Sequence, residues 1–271
     1  MQFGCLKVPH RHLIRKEIFM KKFTRVLAVV AALVMIVACF AACGKNSSKK
    51  YIIYSDNGFA PFEFLDDETG KYIGVDMDLL AAIAKDQGFE YEMHNEGFNA
   101  AMGAVQSGQA NAMIAGMTIT DERKENYDFS DGYFEDGSVL VVAKDSAITS
   151  KDELAGKKVA AKAGTVSTTY AESLKDEIGF EITYFESSAE MYQAVISGNA
   201  VACFEDRSVI CWAIDEEEIA LKTVGDVVNP KYYGFAVKKG TYPELIEMFN
   251  EGLKNIKASG EYDKILAKYG Y

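Results

Sequence analysis

The sequence has 271 residues, with 29 Lys and Arg against 40 Asp and Glu and a formal net charge of −11. Residues 1–42 hold seven of the basic residues and one of the acidic residues, which leaves the rest of the chain at −17. Such a negative charge argues against nucleic acid as a partner, because the phosphate backbone would repel the protein. His94 is the only histidine after residue 42, and no nucleophile elbow, phosphate-binding loop or zinc-ligand spacing accompanies it. We therefore expect neither a metal nor another cofactor.

The N-terminal region has the pattern of an export signal. Basic residues between 20 and 25 precede 14 apolar residues at 26–39, too few for a comfortable membrane span, and Met20 is an alternative start. Residues 40–43 (Phe-Ala-Ala-Cys) resemble a bacterial lipobox; residues 36–39 (Ile-Val-Ala-Cys) compete, but the polar tract after Cys43 favours the later site. The sequence thus predicts a signal peptide over residues 1–42, lipid on Cys43 and a tether over residues 43–50. We expect an exported protein anchored to the outer face of the cell membrane.

After residue 50, short apolar strands alternate with helices over about 220 residues, enough for one large or two small domains. Strands are predicted at residues 51–54, 89–93 and 110–115, and helices after Asp76 as a cap and over residues 98–107 before Gly108. The aromatic loop at residues 55–64 follows the first strand, where open α/β sheets bind ligands. This order predicts an α/β fold with parallel strands.

One cation stands out in residues 115–130. Thr120 is predicted to cap a helix beginning at Asp121, which places Arg123 in the first helical turn. A cation there opposes the positive end of the helix dipole, so its position is best explained if an anion such as a carboxylate shares the site. The alternative is a solvated Arg123, or one paired with Asp121 and Glu122.

The second half of the chain repeats this plan. Residues 104–112 and 194–202 agree at six of nine positions, and both join a predicted helix to a predicted strand. Strands at residues 138–143 and 232–237 are predicted to cross between two lobes, and a helix capped by Thr241 to return the tail to the first lobe. The predicted lobes are residues 51–138 with 233–271, and residues 139–232. Cys203 and Cys211 are expected to be buried free thiols, with a disulfide between them as the alternative.

Seven short segments carry a resemblance to a known family, by their order and spacing. They are residues 59–64 (Phe-Ala-Pro-Phe-Glu-Phe), 74–80 (Gly-Val-Asp-Met-Asp-Leu-Leu), 116–123 (Gly-Met-Thr-Ile-Thr-Asp-Glu-Arg), 128–130 (Asp-Phe-Ser), 154–157 (Leu-Ala-Gly-Lys), 233–237 (Tyr-Gly-Phe-Ala-Val) and 259–263 (Ser-Gly-Glu-Tyr-Asp). Nearly all of residues 51–271 resembles the polar amino acid binding proteins of ABC transporters, solute-binding family 3. This resemblance implies a two-lobed periplasmic-binding-protein-like fold (type II), with two hinge strands, a ligand cleft and an ABC transporter permease as partner.

The resemblance also implies roles for individual residues. Arg123 would pair with the α-carboxylate of an amino acid, and Asp206 with its α-ammonium group. Phe59 and Phe98 would stack on the ligand side chain. Three residues would line the polar end of the pocket, namely Asp56, Lys162 and Glu205. The other contacts implied are Ala115, Gly116, Thr118, Gly164, Thr165 and Val166. Taken alone, the two phenylalanines could be core residues, Asp206 a helix cap and Lys162 a side chain reaching toward solvent.

Glutamine is the first choice of ligand. Its carboxamide can accept a hydrogen bond from Lys162 and donate one to Asp56 without adding charge to the pocket. Glu205 supports the alternative of a basic amino acid, namely arginine, histidine or lysine; cystine is a further alternative. A rival function is an enzyme similar to cyclohexadienyl dehydratase, for which Glu205 would be the carboxylate that acts on the substrate. We expect a binding protein and not an enzyme.

Overall fold

The computed structural model describes residues 50–271. The predicted signal peptide, Cys43 and the tether before Lys50 lie outside the described residues. In the part of the chain that is described, no helix has the length and apolar character that crossing a membrane requires.

Strands and helices alternate through most of this region. The strands are β1 (Lys50–Asp56), β2 (Phe64–Asp66), β3 (Lys71–Ile73), β4 (Glu90–Glu96), β5 (Ala112–Met113), β6 (Tyr127–Phe129), β7 (Phe134–Ala143), β8 (Lys158–Lys162), β9 (Glu181–Phe185), β10 (Ala202–Asp206), β11 (Leu221–Tyr233) and β12 (Ala236–Lys238). The helices are α1 (Val75–Gln87), α2 (Phe98–Ser107), α3 (Asp121–Lys124), α4 (Val166–Ile178), α5 (Ser188–Ile196), α6 (Arg207–Asp215), α7 (Pro243–Ala258) and α8 (Glu261–Lys268).

The first lobe is built on a mixed sheet with the strand order β4-β1-β5-β12-β6. Strand β1 runs parallel to β4 and β5, and β12 runs antiparallel to β5 and β6. Helix α1 packs on this sheet together with the C-terminal helices, since Leu79 and Ile83 share one apolar core with Phe249 and Leu253. The tail of the chain therefore belongs to the core of the first lobe.

The second lobe is built on a sheet with the order β11-β7-β10-β8-β9. Strands β8, β9 and β10 are parallel, whereas β7 is antiparallel to both β10 and β11. The chain crosses between the sheets twice, between β6 and β7 and between β11 and β12. The pairing of β7 with β11 begins next to these crossings, at Phe134 opposite Tyr233. The predicted lobe boundaries at residues 138 and 232 remain predictions.

The internal repeat corresponds to one repeated turn between a helix and a strand. In the first lobe the N–H of Ala110 donates to the carbonyl of Ala104 at 3.0 Å; in the second lobe the N–H of Ala200 donates to Ala194 at 2.9 Å. A glycine follows each helix with a positive φ, 79° at Gly108 and 75° at Gly198. The matched residues thus build the same structure twice, and each copy leads into a strand that ends at the cleft.

Several helix starts follow from local capping. The Thr120 hydroxyl accepts a hydrogen bond from the N–H of Arg123 at 3.1 Å, as predicted. Ser187 caps α5 in a capping box with Glu190. Two predicted caps are wrong. Asp76 does not cap α1, because the helix begins before it and Asp76 is buried in the protein interior. Thr241 does not cap α7, because Tyr242, with a φ of 50°, is the residue that directly precedes this helix.

The strand predicted over residues 232–237 is also wrong in its extent. Two strands meet there, because the N–H of Gly234 bonds to Met117 and the carbonyl of Phe235 accepts from Ser130, instead of continuing the ladder. Most of β11 was not predicted. It has irregular register near Val224 and Val228, which removes the simple alternation of apolar and polar residues that identifies a strand.

Candidate functional site

The candidate site lies where strands from both sheets end. Asp56 is the last residue of β1, Lys162 of β8 and Asp206 of β10, and Gly116 follows β5. Ligands bind outside the carboxyl ends of the strands in open α/β sheets. The alternation of strands and helices in each lobe therefore directs these residues into one cleft.

Twelve of the thirteen predicted site residues line a single cavity there. They are Asp56, Phe59, Phe98, Ala115, Gly116, Thr118, Arg123, Lys162, Thr165, Val166, Glu205 and Asp206. Gly164 does not line it, although its carbonyl contacts Arg123. The cavity volume is about 20 Å³, which is room for about one water molecule. A larger ligand could enter this arrangement only if the lobes or their side chains moved.

Arg123 bridges the two lobes by hydrogen bonds to backbone carbonyls. Its guanidinium donates to Thr118 at 2.8 Å and to Gly164 at 2.9 Å. It also lies 5.4 Å from the centre of the Phe98 ring, a cation–π distance. Burial lowers the pKa of Arg123, and Asp206 opposes that effect. Two donors of the guanidinium are used by carbonyls, and its other N–H groups remain for an anion.

The start of α4 faces Arg123 from the second lobe. Thr165 caps this helix by accepting a hydrogen bond from the N–H of Thr168 at 3.1 Å. The N–H groups of Val166 and Ser167 have no partner within the helix, since they belong to its first turn, and the helix dipole favours negative charge there. Together with Arg123, this helix start forms a positive end of the cavity.

The lobes approach closely at Gly164, which has a φ of 79°. A side chain at this position would collide with the first lobe, because an added Cβ would lie 2.3 Å from the amide oxygen of Asn99. The amide nitrogen of Asn99 donates to Glu186 of the second lobe at 3.2 Å. The positive φ and the close approach of Asn99 therefore both favour glycine at residue 164 in this closed arrangement.

Asp206 forms the negative end of the cavity. Its carboxylate accepts hydrogen bonds from the hydroxyls of Ser167 at 2.7 Å and Tyr233 at 2.5 Å. The alternative of a side-chain cap for α6 is wrong: Asp206 precedes that helix, but its carboxylate does not bond the helix backbone. Both hydroxyls hold the carboxylate in place, and each oxygen keeps a lone pair for a further donor.

Asp56 and Lys162 form an ion pair across the cleft, with 2.5 Å between a carboxylate oxygen and Nζ. Their side chains are only 4% and 2% exposed, so Lys162 does not reach toward solvent. The ammonium group lies 4.9 Å from the centre of the Phe59 ring and 5.9 Å from that of Phe98. The two rings thus form apolar walls around a paired charge, and both belong to the cavity.

Glu205 is turned into the second lobe. Its carboxylate accepts from the hydroxyls of Ser188 at 2.8 Å and Tyr192 at 3.0 Å, and from the N–H of Asp206 at 2.9 Å. Burial, followed by the neighbouring charge of Asp206, raises the pKa of Glu205 to about 7. Three donors from its own lobe occupy this carboxylate, which leaves less of it for a ligand.

Sequence reasoning missed the residues that support the site from behind. Ser167 and Tyr233 orient Asp206, and Asp76 accepts a hydrogen bond from the N–H of Gly116 at 2.8 Å. Only Ser167 had a local signal in the sequence, because it lies two residues after the helix cap Thr165 and so in the first turn of the helix at the cleft. The others depend on contacts between distant parts of the chain.

His94, Cys203 and Cys211, which the sequence analysis considered, do not line the cavity. His94 stacks on Tyr54 at 4.9 Å between ring centres and bonds to Glu92. Cys203 and Cys211 are free thiols, as predicted, but only Cys203 is buried; Cys211 is half-buried. Among residues 50–271, no group of three or more His, Cys, Asp or Glu side chains is arranged to hold a metal ion.

Two α/β lobes with a charged cleft between them define a two-lobed ligand-binding protein of the type II periplasmic class. The family model of the bacterial extracellular solute-binding proteins, family 3, matches residues 51–271. The chain belongs to that family.

Relatives and solved structures agree with this assignment. The ABC transporter glutamine-binding protein GlnH of Bacillus subtilis (strain 168) is 35% identical over 205 residues, 74% of this chain and 74% of that protein. An ancestral arginine-binding protein bound to arginine is 37% identical, with a TM-score of 0.77 over 82% of this chain and 98% of that one. Substrate binding domain 2 of Lactococcus lactis GlnP, in its open conformation, is 43% identical, with a TM-score of 0.57 over 81% and 94% of the two chains.

The two solved structures differ in how closely they match the structure of this chain. The open domain is the more identical in sequence, yet the ligand-bound ancestral protein has the higher TM-score. The contacts of Arg123 and Lys162 across the cleft agree with this difference. The lobes of the present protein are therefore closed on each other.

Proposed function

We propose that the protein binds one polar, uncharged amino acid, with glutamine first, and delivers it to an ABC importer. The observation that carries the proposal is the arrangement of charge along the cavity. Arg123 and the start of α4 form a positive end, Asp206 forms a negative end, and the paired charges of Asp56 and Lys162 lie between the aromatic walls. An amino acid zwitterion carries the complementary charges, and burial between lobes strengthens each pairing.

The α-carboxylate would bind to Arg123 and to the N–H groups of Val166 and Ser167. A planar guanidinium can hold a carboxylate through two hydrogen bonds, and a helix start adds backbone donors. The α-ammonium group would bind to Asp206. The N–H of Gly116 is already bonded to Asp76, so Gly116 would contribute its carbonyl oxygen to the ammonium group instead of an N–H to the carboxylate.

The far end of the cavity favours an uncharged side chain. Asp56 and Lys162 cancel one another, and a carboxamide could accept from the lysine and donate to the aspartate. A second ammonium or guanidinium group would face Lys162, and a second carboxylate would face Asp56. GlnH, named for glutamine binding, and the ancestral protein bound to arginine represent the two ligand classes that this argument separates.

Side-by-side titration calorimetry with glutamine, arginine, histidine, glutamate and cystine tests this choice. We expect glutamine to bind at least about tenfold more tightly than any of the others, because like charges in a desolvated site cost several kcal/mol and about 1.4 kcal/mol is tenfold. Arginine binding as tightly as glutamine would contradict the proposal and favour the basic amino acids.

Binding without catalysis is the simpler interpretation of the cleft. Glu205 is the carboxylate on which a dehydratase would depend, and it accepts three hydrogen bonds from its own lobe. One solved structure similar to this chain is described as an ancestral amino acid-binding protein that is a precursor of cyclohexadienyl dehydratase. That description is also compatible with a binding role for this fold.

We also propose export and lipid anchoring, with Cys43 as the lipid-bearing residue. The basic, apolar and small residues before Cys43 and the polar tract after it support this assignment. In a bacterial host that lipidates such signals, Cys43→Ser should move the protein from the membrane fraction to the soluble fraction, whereas Cys39→Ser should leave it in the membrane fraction. An unchanged distribution of Cys43→Ser would contradict the assignment.

A further inference from the structure

Two carboxylic acids meet in the core beneath the ligand site. Glu63 lies in the loop after β1 and Asp76 in the first turn of α1, and both residues are completely buried. The two carboxyl groups are close enough that each shifts the pKa of the other. Yet both carboxyl oxygens of Glu63 and Oδ1 of Asp76 meet no N–H or O–H donor from residues 50–271. A proton on one carboxyl group is the simplest way to satisfy this contact.

The position of the proton follows from the remaining contacts. Oδ2 of Asp76 accepts hydrogen bonds from the N–H of Gly116 and from the hydroxyl of Tyr133, both at 2.8 Å. These donors favour a negative charge on Asp76, whereas Glu63 receives no such support. Glu63 is therefore the better proton carrier, with the Asp76 carboxylate as the acceptor.

This pair joins the two segments that form one wall of the ligand site. The backbone of Glu63 is bonded in both directions to Phe59, at 2.8 and 3.3 Å. The Phe59 ring rests on Gly116, where an added Cβ would lie 2.4 Å from a ring carbon. Glu63 thus holds Phe59 through its backbone, and Asp76 holds Gly116 through its carboxylate.

We propose that Glu63 is a positioning residue of the ligand site: it carries one proton shared with Asp76 and so fixes Gly116 and Phe59 in the geometry that binds the ligand. This proposal rests on the proposed function for its effect on binding. It makes Glu63 act through Gly116 and Phe59 and not by touching the ligand.

The surrounding charges fit a retained proton. Asp56 at the end of β1 and Lys162 at the end of β8 face Glu63, as do Asp76 and Tyr133. Burial first, and then Asp76 and Asp56, raise the pKa of Glu63 well above its ordinary value of 4.5, against the opposing effect of Lys162. Burial also raises the pKa of Asp76 to about 7. The pair therefore retains at least one proton through neutral pH.

The sign of the effect on stability follows from these shifts. Unfolded chains release the Glu63 proton near the ordinary pKa of 4.5, whereas the folded chain retains it. The stabilisation by the retained proton is fully present below that pH. As the pH rises from there toward the folded-state pKa, this stabilisation is lost, and the equilibrium constant for unfolding increases about tenfold per pH unit. Glu63→Gln removes this dependence, since a carboxamide always has an N–H to donate.

The test measures L-glutamine affinity and denaturant unfolding from about pH 6 to about pH 9.5. Glu63→Ala should weaken binding by about fivefold to a hundredfold, because it leaves Asp76 without its donor. Glu63→Gln should restore most of this loss. As the pH increases, the affinity and the stability of Glu63→Gln should rise relative to those of the unaltered protein at the same pH. Glu68→Gln makes the same change at an exposed residue and should match the unaltered protein at every pH.

The outcomes separate this proposal from the proposed function. Parallel pH profiles of binding and unfolding for Glu63→Gln and the unaltered protein would overturn the shared proton. If Glu63→Gln does not fold, Asp76→Asn places a permanent N–H on the other side of the pair and should flatten the same profiles. If no variant binds glutamine, the proposed ligand is wrong, and the unfolding profiles still decide whether Glu63 carries the proton.

Discussion

Arg123→Ala should weaken glutamine binding by about 30-fold to several thousand-fold, measured by titration calorimetry. The substitution removes the guanidinium that would pair with the ligand carboxylate and leaves that charge partly desolvated, at a cost of about 2–5 kcal/mol. Arg123→Lys should recover only part of the loss, because an ammonium group cannot reproduce the planar pair of hydrogen bonds.

The matched control for Arg123 is its neighbour Lys124. Lys124 belongs to the same short helix but is exposed and paired with Asp121 at 3.1 Å. Lys124→Ala should leave the affinity within about twofold, because exposed ion pairs contribute little. A loss of less than tenfold for Arg123→Ala, in a variant whose circular dichroism is unchanged, would mean that the ligand carboxylate binds elsewhere.

Asp206→Asn should produce a loss of the same order, about 2–5 kcal/mol in the free energy of binding. Asparagine has nearly the same shape and can still accept from Ser167 or Tyr233, so the local fold should be maintained. What disappears is the negative charge that would pair with the ligand ammonium group. Because the ammonium group would lose this partner, the cost of its desolvation would no longer be offset by that pairing.

Asp215→Asn is the control for Asp206. It makes the same chemical change at an exposed residue at the end of α6, the helix that Asp206 precedes. Its binding constant should equal that of the unaltered protein. If Asp206→Asn also binds glutamine within tenfold of the unaltered protein, Asp206 is not the ammonium partner.

The features predicted from the sequence share a local cause. Thr120 caps the turn that carries Arg123 through contacts within three residues, and the repeated helix-to-strand turn at Ala104 and Ala194 is equally local. Strand ends in an α/β fold converge on one edge of the sheet, so residues that follow strands could be assigned to one cleft. The family resemblance then supplied the roles for which the sequence alone left alternatives.

What the sequence did not reveal depends on contacts between distant residues. The ion pair of Asp56 and Lys162 joins residues 106 positions apart, and no local pattern reports it. Glu63 looked like an ordinary acid in an aromatic loop, and its burial against Asp76 exists only after β1 and α1 have packed. Strand β11 was missed because Gly225 and Pro230 lie inside it, and both residues usually interrupt strands.

In the proposed complex, Arg123 holds the carboxylate of the bound amino acid. The most direct test is a thermodynamic cycle that titrates L-glutamine and L-glutaminamide, which lacks the carboxylate charge, into the unaltered protein and Arg123→Ala. We expect glutaminamide to bind the unaltered protein at least about 30-fold more weakly than glutamine, whereas Arg123→Ala should distinguish the two by less than about threefold. An equal preference for glutamine in both proteins would mean that Arg123 does not hold the ligand carboxylate.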